Sequence, residues 1–365
     1  MNSNKINHIE KNNYKDLIIK DIFKNLFEKK IGELEFNSSE WSINDFSCVF
    51  SISINNNNNN EHFHVKIPRS KIIFLGFNHI TNDDIALAKK EYDSLNFIKL
   101  NWPKNDYINF IEPIIYLEQF NAIITRTFFG NDFFFHLKKN DLKNKFFKKP
   151  ISNDIKYHLK NISKSISIHH DLSLTHEKVR DINIEKLVFK ISNLILDLDK
   201  NCVSQNCFNK INSFISIQEN IFKDIYFAKT LKGLDIRNIL LSSDNKICFL
   251  DPGKLKLEPS VAGIARYFVT CEMIYWGTFY FFFYFKISKN LISIIMNSID
   301  TLDDLNKDLL RLYILKEYVK HWKQAYVNIE LKNKWPIFLK FFMKKIYVDR
   351  FFNKSIIELI TNEKY

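Results

Sequence analysis

A chain of 365 residues is long enough for one two-lobed unit or two domains, and its 46% hydrophobic residues exclude wholesale disorder. The formal net charge of +12 admits anionic partners, but the lysines are dispersed and no nucleic-acid module is recognisable, which argues against nucleic acid. The five cysteines, Cys48, Cys202, Cys207, Cys248 and Cys271, show neither a disulfide framework nor metal-ligand spacing, and the 35 phenylalanines with abundant Asn, Lys and Ile fit the codon bias of an AT-rich genome.

Residues 1–40 read as a lead-in with one helix around 14–27, and the start M-N-S-N-K-I-N-H-I-E-K has no apolar stretch of the signal-peptide kind, so a cytoplasmic protein is expected. A β-rich segment is expected over 41–127. Within 41–54, Phe50, Ile52 and Ile54 alternate with Val49, Ser51 and Ser53, giving the first two strands around a turn at 44–48. That turn contains no glycine, so its backbone would approach a phosphate less freely than a glycine-rich loop. Asn55 to Asn60 form a low-complexity hairpin tip, after which H-F-H-V-K-I alternates Phe63, Val65 and Ile67 against His62, His64 and Lys66. Strand parity therefore sends Lys66 out of the face opposite the apolar one.

The next element is a helix capped at Asn82, with Asp83 and Asp84 in its first turn and Ile85, Ala88, Tyr92 and Leu95 at helical spacing. Glu91 falls on the margin of this stripe. A carboxylate turned inward needs a partner, and Lys66 is the natural one; the alternative is that Glu91 reaches water at the stripe's edge. Residues 114–117, then Glu-Gln-Phe-Asn, then 122–127 read as a hairpin.

From 128 to 365 a helical region is expected. His169-His170-Asp171-Leu172 has the look of a catalytic H-x-D-L, but the residues after it, Ile184, Leu187, Val188, Ile191, Leu194, Ile195 and Leu198, repeat at helical spacing and form no strand hairpin, so Asp171 is placed in an insertion or a capping segment. K-G-L-D-I-R-N-I-L-L-S-S-D-N-K-I-C-F-L-D-P-G, over 232–253, instead reads as a loop, a strand, a polar turn and a second strand. Such a hairpin brings Asn238 beside Asp251, and an amide oxygen next to a carboxylate is a pair of hard oxygen ligands suited to Mg²⁺. The apolar run 273–285, bounded by Glu272 and Lys286, is too short to span a bilayer. It is expected to be a buried central helix, the alternative being a membrane-facing patch that would suit a lipid-linked substrate. Basic amphipathic helices follow over 301–352, with Leu305, Leu309, Leu312 and Val319 on the stripe and Lys316 at its exposed edge.

The order of these pieces, with N-I-L at 238–240, D-P-G at 251–253 and V-K-I at 65–67, resembles the protein-kinase-like superfamily. The likeness is to its branch of aminoglycoside phosphotransferases and lipopolysaccharide kinases, and covers roughly residues 41–268. The resemblance implies an α+β, two-lobed fold with a small β-rich lobe and a larger helical lobe. It implies ATP and Mg²⁺ as cofactors, with Lys66 on the α- and β-phosphates, Glu91 orienting Lys66, backbone near Thr125 and Thr127 on the adenine, and Asn238 and Asp251 on the metal.

The chain departs from the family at its base. Leu231, Lys232 and Gly233 stand where His, Gly and the catalytic Asp are usual, and Gly263 stands where an Asp usually braces the catalytic loop. Asp235 is the one carboxylate left in that loop and the candidate for a displaced base. The expected function is transfer of the ATP γ-phosphate to a hydroxyl of a small molecule or glycan, with impaired catalysis. The alternative is a pseudokinase that keeps the pocket without the chemistry.

Overall fold

The computed structural model describes residues 2–29, 33–44, 46–56, 59–70, 80–102, 107–173, 184–198, 203–218, 227–230, 234–250, 256–276, 286–299, 307–332 and 335–361. The architecture is α+β and divides into two compact units, Met1–Gly130 with Ser242–Leu255, and Asn131–Leu241 with Lys256–Tyr365.

The first unit is built on an antiparallel sheet. After helix α1 (Asn2–Phe27), which starts earlier than the sequence suggests, come β1 (Glu35–Ser38), β2 (Ser42–Asn44), β3 (Ser47–Asn56) and β4 (Asn59–Pro68). Helix α2 (Asn82–Asn101), β5 (Ile108–Phe110), β6 (Pro113–Leu117) and β7 (Ala122–Arg126) follow. The strands lie in the order β1-β3-β4-β7-β6, and β2 also pairs with β3.

The alternation read from the sequence sets the register, with Phe50 opposite Val65 and Ile52 opposite Phe63. Those residues, with Ile54 and Ile67, form the buried face, and Ile18, Ile19, Ile22 and Phe23 of α1 pack into the same core. The lead-in is thus part of the hydrophobic core. Between β6 and β7 a 3₁₀ turn over Glu118–Phe120 ends at Asn121, whose φ of 51° is the left-handed conformation that asparagine tolerates. The strand Ile247–Phe249 pairs in parallel with β5 and stacks Phe249 on Phe110, with ring centroids 5.4 Å apart.

Helix α2 is capped one residue earlier than expected. Thr81 Oγ1 accepts from the Asp84 amide at 3.3 Å while Asp84 Oδ2 accepts from the Thr81 amide at 2.8 Å, a reciprocal capping box. Ala88 and Leu95 are on the buried stripe as expected, joined by Asp84, Glu91 and Ile98, while Ile85 is exposed. Asp84 can face inward because the Ser70 amide and hydroxyl donate to Oδ1 at 2.6 and 2.8 Å.

The second unit begins with β8 (Asn131–Asp132), α3 (Phe133–Phe147), α4 (Asn153–Ser173), α5 (Ile184–Leu196) and α6 (Gln205–Gln218). It continues with β9 (Phe227–Thr230), β10 (Ile239–Leu241), α7 (Val261–Glu272), α8 (Lys289–Ile299), α9 (Lys307–Glu330), α10 (Ile337–Phe342) and α11 (Arg350–Ile360). His169, His170 and Asp171 belong to the last turns of α4, which is helix and no catalytic loop.

Of the run 273–285, expected as a buried helix, four residues are described, and Ile274 and Tyr275 among them are buried. Residues 273–276 form turns after α7, and the remainder lies outside the described residues. The helix with the longest uninterrupted burial among the described residues is α9, where residues 312–319 are all buried. Lys316, expected at an exposed edge, is buried, with its ammonium 4.5 Å from the Tyr313 ring centroid. Neighbouring Glu317 is inside because Lys320 donates to it at 2.9 Å. Among the described residues no helix is long and apolar enough to cross a membrane. Cys48, Cys207, Cys248 and Cys271 are buried free thiols, and Cys202 lies outside the described residues.

Candidate functional site

In the first unit the sheet and α2 bring Lys66 and Glu91 together. Val49 and Ile123 flank Lys66 on the neighbouring strands, so its side chain leaves the sheet on the face away from the Phe50–Val65 core. From α2, Glu91 sits at the middle of the buried stripe, and Lys66 Nζ donates to Glu91 Oε1 at 2.6 Å. Side-chain exposure is 21% for the lysine and 9% for the glutamate, so the pair is partly shielded from water. On the same strand face, burial first and the Lys66 charge second lower the pKa of His64, which holds that imidazole neutral.

Thr125 lies inside β7, opposite His64, with its hydroxyl donating to the His64 carbonyl at 3.4 Å. The amide of Thr127 donates to the His62 carbonyl at 2.9 Å, and that of Arg126 to the Glu112 carbonyl at 2.9 Å. Backbone donors at 126 and 127 are therefore used within the sheet.

In the second unit the loop residues expected to be catalytic form a single 3₁₀ turn, Ile236–Asn238, capped by Asp235. Asp235 Oδ1 accepts from the Arg237 amide at 3.0 Å, and the Arg237 guanidinium adds Nε to Oδ1 at 2.8 Å and Nη2 to Oδ2 at 2.5 Å. Arg266 of α7 stands 3.9 Å from Oδ2. Burial pushes the Asp235 carboxyl up, but the Arg237 hydrogen bonds and charge, with Arg266 behind them, outweigh it and hold the pKa below the ordinary aspartate value. This carboxylate is ionised, 2% exposed and committed to its own turn.

The turn is braced from α7. Thr270 Oγ1 accepts from the Ile236 amide at 3.2 Å and donates to the Tyr267 carbonyl at 3.0 Å. Gly263 lies in the first turns of that helix. Arg237, Arg266 and Thr270 escape a reading by sequence motif. The Asp-Ile-Arg spacing is the one local signal available, since a residue two after a cap can fold back onto it.

Asn238 closes the turn, its amide donating to the Asp235 carbonyl at 2.9 Å. The polar turn expected at 242–245 is present: Ser242 and Lys246 exchange backbone and hydroxyl hydrogen bonds, and Asn245 has φ of 64°. Asp251, with Leu231, Lys232 and Gly233, lies outside the described residues. The fit to a nucleotide therefore rests on the preset ammonium of Lys66, which suits phosphate oxygens. Of the two residues expected on Mg²⁺, Asn238 is the one described, and among the described residues no group of three or more His, Cys, Asp and Glu could hold an ion.

No family model matches the chain, and no curated protein matches its sequence. Solved structures do match in fold. An ethanolamine kinase from Plasmodium vivax is 12% identical and aligns over 95% of this chain and 89% of its own, with a TM-score of 0.51. A choline/ethanolamine kinase family protein from Mesorhizobium loti is 10% identical over 94% of this chain and 95% of its own, with a TM-score of 0.50. An AMP-bound spectinomycin phosphotransferase is 10% identical over 96% of this chain and 99% of its own, also with a TM-score of 0.50. At such identities the likeness speaks for the fold, which is the protein-kinase-like one that the resemblance implies.

Proposed function

We propose that this chain is a kinase-like phosphotransferase that binds ATP with Mg²⁺ and passes the γ-phosphoryl group, slowly, to a hydroxyl of a small molecule or glycan. The observation that carries this reading is the Lys66–Glu91 ion pair at 2.6 Å. A strand lysine held by a helix carboxylate is oriented before phosphate arrives, and phosphoryl transfer depends mainly on positioning and charge stabilisation. The solved neighbours are named as an ethanolamine kinase, a choline/ethanolamine kinase family protein and an AMP-bound spectinomycin phosphotransferase, which supports a nucleotide and a small-molecule acceptor.

Bound Mg·ATP would supply the phosphoryl group and neutralise much of its charge. In the transfer the acceptor oxygen bonds to the γ-phosphorus as the bond to the bridging oxygen breaks, ADP departs and the acceptor hydroxyl loses its proton. For this chain's residues we assign Lys66 to the phosphate oxygens, Glu91 to orienting Lys66, and Asn238 and Asp251 to the metal. Adenine would be read by backbone around Thr125 and Thr127, through carbonyls or amides that the sheet leaves over. Asp235 is the candidate base.

The second reading, a pseudokinase, is favoured by the state of Asp235. A carboxylate with both oxygens held by Arg237 is a poor proton acceptor, and losing a general base typically costs 10²–10⁴-fold in rate. Thermal unfolding with ATP, with and without Mg²⁺, tests the shared part of both readings: a Mg²⁺-dependent rise in Tm that Asp251→Ala abolishes supports it, and no rise overturns it. ATP turnover then separates the two. Turnover lost in Asp235→Asn favours the enzyme; background turnover in wild type and variant favours the pseudokinase.

A further inference from the structure

Helix α10 is built inside out. Ile337, Phe338 and Phe341, at positions i, i+1 and i+4 of one face, are 86%, 73% and 64% exposed, and no residue of the helix is buried. Its basic residues do the opposite. Lys340 Nζ donates to the Glu330 carbonyl at 2.9 Å, Lys344 of the next turn pairs with the Glu330 carboxylate and lies 4.8 Å from the Tyr326 ring centroid, and these lysine side chains are only 17% and 19% exposed. The lysines tie the helix to α9 and so fix the aromatic face outward.

The rest of the same helical run is conventional. Through the π-helical turns Met343–Asp349 it passes into α11, which buries Phe351, Phe352, Ile356 and Leu359. Asp349 anchors the junction by accepting from Trp322 Nε1 at 2.9 Å and the Tyr326 hydroxyl at 2.7 Å. The wide turns let the buried face of α11 and the outward face of α10 point in different directions. An apolar face held outward by its own polar contacts costs free energy in water and marks an interaction surface.

We propose that this face docks on an anionic phospholipid bilayer, with Ile337, Phe338 and Phe341 entering the boundary between headgroups and acyl chains. Charge complementarity identifies the partner. Between Glu330 and Arg350 the chain carries the bases Lys332, Lys334, Lys340, Lys344, Lys345 and Arg350 against the acids Glu330 and Asp349, a basic excess, and Lys332, five residues before Ile337, is exposed. Trp335, just before the helix, is the residue type that settles at a membrane interface.

The test is co-sedimentation of the full chain with vesicles of phosphatidylcholine alone or mixed with phosphatidylglycerol. Binding to the mixed vesicles, weak on phosphatidylcholine and reduced by salt, is expected. Phe338→Ser and Phe341→Ser should each weaken it about tenfold, by the transfer energy of a ring. Phe338→Leu should keep most of it, and Lys332→Glu should weaken it at low salt only. Because these rings are exposed, the Tm of each variant should match wild type, which separates lost docking from lost folding. No binding to the mixed vesicles, or binding unchanged in the double serine variant, overturns the proposal. So does a concentration-dependent dimer without vesicles that Phe338→Ser abolishes, which would give the face to a second copy of the chain.

Discussion

Arg237 clasps Asp235 two residues away through parallel hydrogen bonds to both carboxylate oxygens, at 2.8 and 2.5 Å. Forked pairing of this kind is geometrically specific, and lysine cannot reproduce it. Arg237→Ala should lower the unfolding free energy by about 2 kcal/mol, the cost of stripping a charged partner from a buried carboxylate, discounted because the arginine side chain is itself exposed. Arg237→Lys should recover less than half of that loss. Asp235 has a depressed pKa in the folded state, so its contribution to stability is present above the unfolded aspartate pKa and lost as pH falls through the folded value. In Arg237→Ala this acid-side loss should shrink. Urea unfolding at neutral and acidic pH measures both effects, and wild-type behaviour in Arg237→Ala would contradict the clasp.

Lys66 and Glu91 should be energetically coupled. Removing Lys66 alone takes a hydrogen-bonded cation from the buried Glu91 carboxyl, whereas Lys66→Met with Glu91→Gln removes both members of the pair together. A double-mutant cycle on unfolding free energy should return a coupling of about 1–3 kcal/mol. If the two single substitutions add with no coupling, the 2.6 Å contact is not sustained in solution.

Strand alternation was the most legible part of this fold, because the period of two is set by backbone geometry and Phe50, Ile52, Ile54, Phe63, Val65 and Ile67 carry it without exception. The same parity placed Lys66. Helix α2 was legible in extent and in Ala88 and Leu95, but not in the inward turn of Asp84, whose burial depends on Ser70 and Thr81 and not on apolar character. In helix α9 the stripe of Leu309, Leu312 and Val319 was legible, but the burial of Lys316 and Glu317 was not, because contacts such as those with Tyr313 and Lys320 are ones an apolar count does not register. Thr270 was invisible because it meets Ile236 from another element, across 34 residues of chain. Long-range polar contacts leave no periodicity, and here they govern the loop that carries Asp235.

Asp84 predicts a definite acid sensitivity. Burial alone would raise its pKa, but hydrogen bonds from the backbone and hydroxyls of Ser70 and Thr81 bring it down from 3.8 to about 2. A depressed folded pKa means stability that is present above the unfolded value near 3.8 and lost as pH falls toward about 2, amounting to about 2 kcal/mol in full. Asp84→Asn should therefore be less stable than wild type at neutral pH, and the difference should narrow between pH 4 and 2. Chemical unfolding across that window decides the matter, and a difference independent of pH would mean that the carboxylate is not the stabilising species.

Thr270 should act as a brace for the Asp235 turn through its hydroxyl and not through its volume. The hydroxyl accepts from the Ile236 amide and donates to the Tyr267 carbonyl, and both Thr270 and Ile236 are buried, so no water stands ready to replace it. Thr270→Val keeps the shape and removes both bonds, leaving a buried amide unsatisfied, which typically costs about 1–3 kcal/mol. Thr270→Ser keeps the hydroxyl and loses a methyl, so it should cost less than Thr270→Val even though it removes packing. That ordering separates the two explanations, because a residue held only by packing would rank the variants the other way. Amide hydrogen exchange gives a local readout: Ile236 should exchange faster in Thr270→Val by more than the change in global stability accounts for, while amides in α9 should follow the global change alone. Equal acceleration at Ile236 and throughout α9 would mean that the hydroxyl stabilises the unit as a whole and does not hold this turn.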